Sequence, residues 1–98
     1  MAGWILQGGD DRSLTLRLPA GSVKTVGRTA RADFVLEAAL VSRLHCRLTA
    51  DAAEGLLVED LGSTNGTLVN GERIDRSVLK AGDTLQIGRV AFEVRSEN

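Results

Sequence analysis

Thr67-Leu68-Val69-Asn70-Gly71-Glu72-Arg73-Ile74 reads as two three-residue strands joined by a two-residue turn. Asn-Gly tolerates the positive φ angles that a type I′ turn demands at both central positions, and the twist of that turn matches the twist of the strands it joins. A tight hairpin is therefore expected at 70–71. Toward the C-terminus, Leu85 and Ile87, then Val90, Phe92 and Val94, alternate with polar or small residues. Toward the N-terminus, Leu44, Cys46 and Leu48 alternate in the same way, as do Leu14, Leu16 and Leu18 against Ser13, Thr15 and Arg17. A period of two marks a strand with one buried face. Further strands are expected at Gly3–Gln7, Ser22–Val26, Phe34–Leu36 and Leu56–Asp60, with Trp4 in the first strand and the core. Gly8-Gly9-Asp10-Asp11 and Lys80-Ala81-Gly82-Asp83 are turn signals. Glu37 to Leu44 holds the helix formers Ala38, Ala39 and Leu40 but is short and ends in polar residues, so it reads as a loop with room for one helical turn. Many short strands with turns between them make an all-β sandwich or barrel.

The bulk properties narrow the function. Ninety-eight residues suffice for one hydrophobic core and one domain, spanning 1–98. The longest uninterrupted apolar run is Ala38 to Val41, far short of the roughly 20 residues of a membrane-spanning helix. Met1 to Leu6 carries no secretory pattern, and a cytoplasmic location is the expectation. One cysteine, Cys46, and one histidine, His45, give neither an internal disulfide nor a cluster of metal ligands, so no structural metal is expected. Net charge is −1 with the two signs interspersed, unlike the basic stripe of a nucleic-acid binder. Lysine accounts for only two of the twelve basic residues, Lys24 and Lys80, the rest being arginine, whose planar fork of donors suits phosphate.

Three polar stretches fall at expected strand ends: Gly27-Arg28, Ser42-Arg43-Leu44-His45, and Gly62-Ser63-Thr64-Asn65-Gly66-Thr67. Loops on a rigid sandwich are where such scaffolds place binding function. Together they offer an arginine for charge-assisted bonds, hydroxyls on Ser42 and Thr64, and a glycine-flanked turn with accessible backbone N–H groups, a set suited to phosphate. The third stretch lacks the Gly-Lys-Ser/Thr ending and the helix of a nucleotide-binding P-loop.

In this order, Gly27-Arg28, Ser42-x-x-His45, Ser63-Thr64-Asn65-Gly66-Thr67, Asn70-Gly71, Leu79-x-x-Gly82-Asp83 and Ile87-Gly88, the chain resembles the forkhead-associated (FHA) domain family along nearly its whole length. The resemblance implies a β-sandwich of about eleven short, mainly antiparallel strands that binds phosphothreonine peptides through loops at one end. It implies a module without metal or cofactor; no catalysis, no nucleic-acid or membrane partner and a monomeric state are the accompanying expectations. Carried over by residue, it makes Arg28, Ser42, Arg43, Ser63, Thr64 and Asn65 the phosphopeptide-binding set. Gly27, His45 and Gly66 become loop supports, and Leu40 faces the third residue after the phosphothreonine. Two other readings stay open on the residues themselves. One is a phosphate-independent interaction or dimerisation scaffold. The other is a hydrolase pairing Ser42 or Ser63 with His45, oriented by an acid such as Asp60.

Overall fold

The computed structural model describes residues 3–8, 14–51 and 55–97. Among them are eleven strands and no helix: β1 Gly3–Gly8, β2 Thr15–Leu18, β3 Val23–Gly27, β4 Phe34–Val35, β5 Cys46–Asp51, β6 Gly55–Asp60, β7 Thr67–Val69, β8 Glu72–Ile74, β9 Arg76–Leu79, β10 Thr84–Ile87 and β11 Val90–Glu97. Six form one sheet in the order β2-β1-β11-β10-β7-β8, and five the other in the order β4-β3-β5-β6-β9. Every ladder is antiparallel except β3 with β4. The all-β sandwich expected from the alternation is the architecture found.

The alternating apolar residues form the core between the sheets. Leu6, Leu16 and Leu18 meet Leu85, Ile87, Phe92 and Val94 from one sheet, and Val26, Cys46, Leu48, Ala50, Leu56, Val58 and Leu79 from the other. Fully burying such a side chain contributes about 1.5–3 kcal/mol. Trp4 lies in β1 and packs at the edge of this core, partly buried. Cys46 is wholly buried, and burial first, then the nearby charge of Asp60, pushes its thiol up to about 12.

The 70–71 hairpin forms as expected. Val69 pairs with Glu72, and Asn70 and Gly71 take φ of 51° and 85°. Elsewhere the boundaries move. Leu44 does not join the strand that begins at Cys46 and is exposed, because His45 and Cys46 are both buried and two consecutive inward residues break the period of two. The 37–44 segment carries only a turn at Ala39-Leu40. Strand β9 has no signal in the sequence: three of its four side chains are not buried, and its place is set by pairing with β6. Ser13 and the expected turn residues 9–11 lie outside the described residues.

Candidate phosphopeptide-binding site

Strand directions gather the three polar stretches at one end. Val26 pairs with Cys46, Cys46 with Asp60, and Thr67 with Ile87, so β3, β6 and β10 finish where β5 and β7 begin. The segments 28–33, 36–45 and 61–66 and the turn at Gly88-Arg89 therefore share that end.

Gly27 lets the first two meet. A Cβ there would lie 2.1 Å from the Arg43 carbonyl oxygen, so any side chain would force the two backbones apart. With glycine they zip together: the Arg28 N–H donates to the Ser42 carbonyl at 2.9 Å and the His45 N–H to the Val26 carbonyl at 2.8 Å. The Arg28 side chain is held by its Nε–H, which donates to the Val41 carbonyl at 3.0 Å. Its two terminal amino groups make no hydrogen bond or ion pair among the described residues, and the residue is exposed. The guanidinium is thus aimed by one edge and open on the other.

Ser42 joins the second and third segments, its hydroxyl oxygen accepting the Thr64 N–H at 3.1 Å. Because that bond uses the hydroxyl as acceptor, its proton is left to donate outward. His45 supports both from beneath. It is fully buried, its Nδ1 accepts the Ser42 N–H at 3.1 Å, and its Nε2 lies 2.8 Å from the Gly66 carbonyl. Since Nδ1 must carry a lone pair to accept, the proton sits on Nε2 and donates to Gly66. Gly66 needs its glycine, with φ of 92°. Asn65 ties the third segment back to the second, its Nδ2 donating to the Leu40 carbonyl at 3.3 Å. Thr64, Asn65 and Arg43 are exposed at this face.

Ser63 stands apart from the other expected ligand contacts. It is 7% exposed, its hydroxyl donates to Asp60 Oδ1 at 2.5 Å, and the same oxygen accepts the Gly66 N–H at 3.0 Å. Its hydroxyl is engaged inside the loop on both its donor and acceptor sides, whereas the sequence reading has it facing a ligand. Its partner Asp60 is the support the sequence reading missed. The carboxylate accepts from the Gly62 and Ser63 amides, the Ser63 hydroxyl and the Thr67 hydroxyl. Burial pushes the Asp60 pKa up, but the bonds from Ser63, Thr67 and Gly62 outweigh it and hold the carboxyl below its usual value. The spacing Asp60-x-Gly62-Ser63 was the available signal, since an aspartate bonding the amides two and three residues on is a recurrent turn.

The hydrolase arrangement is not assembled. Both His45 nitrogens are engaged by backbone groups and neither contacts a serine hydroxyl. Ser63 bonds the acid directly, with no histidine between.

The FHA domain profile matches residues 24–88, two thirds of the chain and the whole of the loop-bearing end. The chain belongs to the FHA domain family. Among relatives of this FHA chain, the ABC transporter ATP-binding/permease protein Rv1747 of Mycobacterium tuberculosis is 40% identical over 77 residues, covering 79% of the chain and 9% of that protein. The glycogen accumulation regulator GarA of Mycolicibacterium smegmatis is 42% identical over 65 residues, 66% of the chain and 40% of the regulator. The chain therefore spans less than half the length of these relatives. An FHA domain solved in a study of phosphothreonine-dependent FHA domain interactions superposes with a TM-score of 0.85 at 34% identity, over 95% of each chain.

Proposed function

We infer that this FHA chain is a phosphothreonine-dependent peptide-binding module acting in signalling or in the assembly of protein complexes, and that it does so without catalysis or cofactor. The observation that carries the reading is the pairing of Arg28 and Ser42. Each is fixed by one bond to a neighbouring loop, and each keeps donors free on the open side. A phosphate carrying about −1.5 to −2 charge can take two N–H bonds from Arg28 and one O–H bond from Ser42. Thr64 supplies a further hydroxyl, Arg43 a second cation, and Asn65 an amide for the peptide backbone. The family membership supports the assignment, as does the phosphothreonine dependence studied for a structural neighbour. We extend the proposal to residues 1–98 as one domain, monomeric and cytoplasmic, with a phosphorylated protein as partner. Among the described residues no helix is long and apolar enough to cross a membrane.

The decisive experiment is calorimetry with a phosphothreonine peptide selected from a library. Arg28→Ala should cost about 2–5 kcal/mol of binding free energy, the range for truncating one partner of a hydrogen-bonded charge pair. The fold should remain intact, because the Arg28 amide bond to Ser42 is backbone and survives. Binding within threefold of the parent would refute the role of Arg28.

For the residue that follows the phosphothreonine by three, we propose contact with Leu40. This leucine is held at φ 69° with 44% of its surface exposed. A non-glycine residue in the left-handed region costs free energy and is found where surrounding structure imposes it, often at ligand-binding sites. An aliphatic ligand residue there should gain about 1–3 kcal/mol if its side chain is buried against Leu40. A library randomised at that position checks this, and enrichment of aspartate or glutamate would overturn it.

A further inference from the structure

We propose that Arg73 is a second anion-reading residue of this site, selecting a carboxylate or a second phosphate on the segment of peptide that precedes the phosphothreonine. The inference rests on the phosphothreonine reading above.

The sheet order β10-β7-β8 sets out the rim on this side. The turn after β10 lies under the second segment: a Cβ on Gly88 would be 2.9 Å from both the Leu40 carbonyl carbon and Val41 Cγ2. Next comes Gly66, leading into β7, and then the edge strand β8. In β8, Ile74 packs against the core, so its neighbour Arg73, paired with Leu68, turns outward. The Arg73 side chain then runs along the rim to Gly66. A Cβ on that glycine would meet Arg73 Nε at 2.9 Å, Cζ at 3.1 Å and Cδ at 3.2 Å, so the guanidinium lies against the bare Gly66 backbone. The Thr64-Asn65-Gly66 loop is therefore flanked on one side by Leu40, to which Asn65 is bonded, and on the other by Arg73.

This guanidinium has no hydrogen bond or ion pair among the described residues. Neither Glu72 nor Asp75, its neighbours along the chain, pairs with it, whereas Arg17 and Arg47 each hold a glutamate. An arginine packed against a glycine is already positioned, so less freedom is lost when its fork closes on an anion. With Leu40 facing the residues after the phosphothreonine, the opposite flank meets the residues before it. A free, oriented cation there selects for negative charge.

Covering Gly66 would explain the packing without any ligand, and the test separates the two. Phosphothreonine peptides carrying aspartate or asparagine at each of the three preceding positions are titrated into the parent chain, Arg73→Gln and Arg73→Lys. The parent should prefer aspartate over asparagine at one position by about twofold to fivefold, the range of a solvent-facing ion pair. Arg73→Gln should lose that preference while still binding the asparagine peptide, and Arg73→Lys should keep most of it. Phosphoserine at the same position assigns the source: tighter binding than aspartate marks a phosphate reader, and equal binding a carboxylate reader. An aspartate-to-asparagine ratio that is one in the parent, or unchanged in Arg73→Gln, overturns the proposal. Failure of every peptide to bind the parent overturns the phosphothreonine reading itself, and the two failures are told apart by the asparagine peptide.

Discussion

Replacing His45 by alanine tests how the ligand-facing loops are held. The ring fills a site with no solvent exposure and makes two bonds, from the Ser42 N–H and to the Gly66 carbonyl. Alanine leaves both backbone groups without that partner. An unsatisfied buried group costs about 1–3 kcal/mol, and the void left by the ring adds to this. The Ser42 amide is only partly buried and can recover water, so the lower half of the range applies to it. A total of about 3 kcal/mol follows, and for a domain of this size each kcal/mol lowers Tm by about 4–8 °C, giving a loss of about 12–24 °C. Differential scanning calorimetry measures this directly. Asparagine can place an acceptor near Nδ1 and glutamine a donor near Nε2, so each should recover part of the loss. Peptide affinity should fall for the alanine variant even where it is folded, because Ser42 and Gly66 are no longer fixed. A Tm within about 4 °C of the parent would refute the claim that these two bonds hold the loops.

Asp60→Asn should destabilise the chain by about 1.5–3 kcal/mol near neutral pH, since an amide cannot accept from all four donors that the carboxylate serves. Because the folded state lowers the Asp60 pKa, its contribution is present above the unfolded value of about 4 and is lost as pH falls through the folded value. The gap between parent and variant in urea titrations should therefore shrink on acidification, and a gap constant from neutral to strongly acidic pH would contradict the assignment. Cys46, buried and with its thiol pushed up to about 12, should resist a thiol reagent in the native state and react once urea unfolds the chain. Rapid native labelling would show that the strand is open there.

The hairpin at 70–71 and the alternating apolar residues of β2, β10 and β11 were legible because their causes are local. Asn-Gly selects a turn, and a period of two selects a buried face. Arg28, Ser42 and Asn65 were singled out through the order of short motifs, which places residues near a strand end but does not say which way a side chain turns. Hence Ser63 looked like a ligand contact, although Asp60 draws its hydroxyl inward. For the same reason β9, with only Leu79 buried, gave no periodic signal.

What the sequence determined by itself was the sandwich, its core faces and the set of loops rich in groups suited to phosphate, all encoded in spacings of a few residues. The tertiary structure alone decided which donors stay free. That division depends on contacts between residues far apart in the chain: Arg28 on Val41, Ser42 on Thr64, His45 on Gly66, and Arg73 against Gly66. A hydrogen-bonding group is available to a ligand only if no neighbour in space has used it, and neighbours in space are fixed by how the sheets pair.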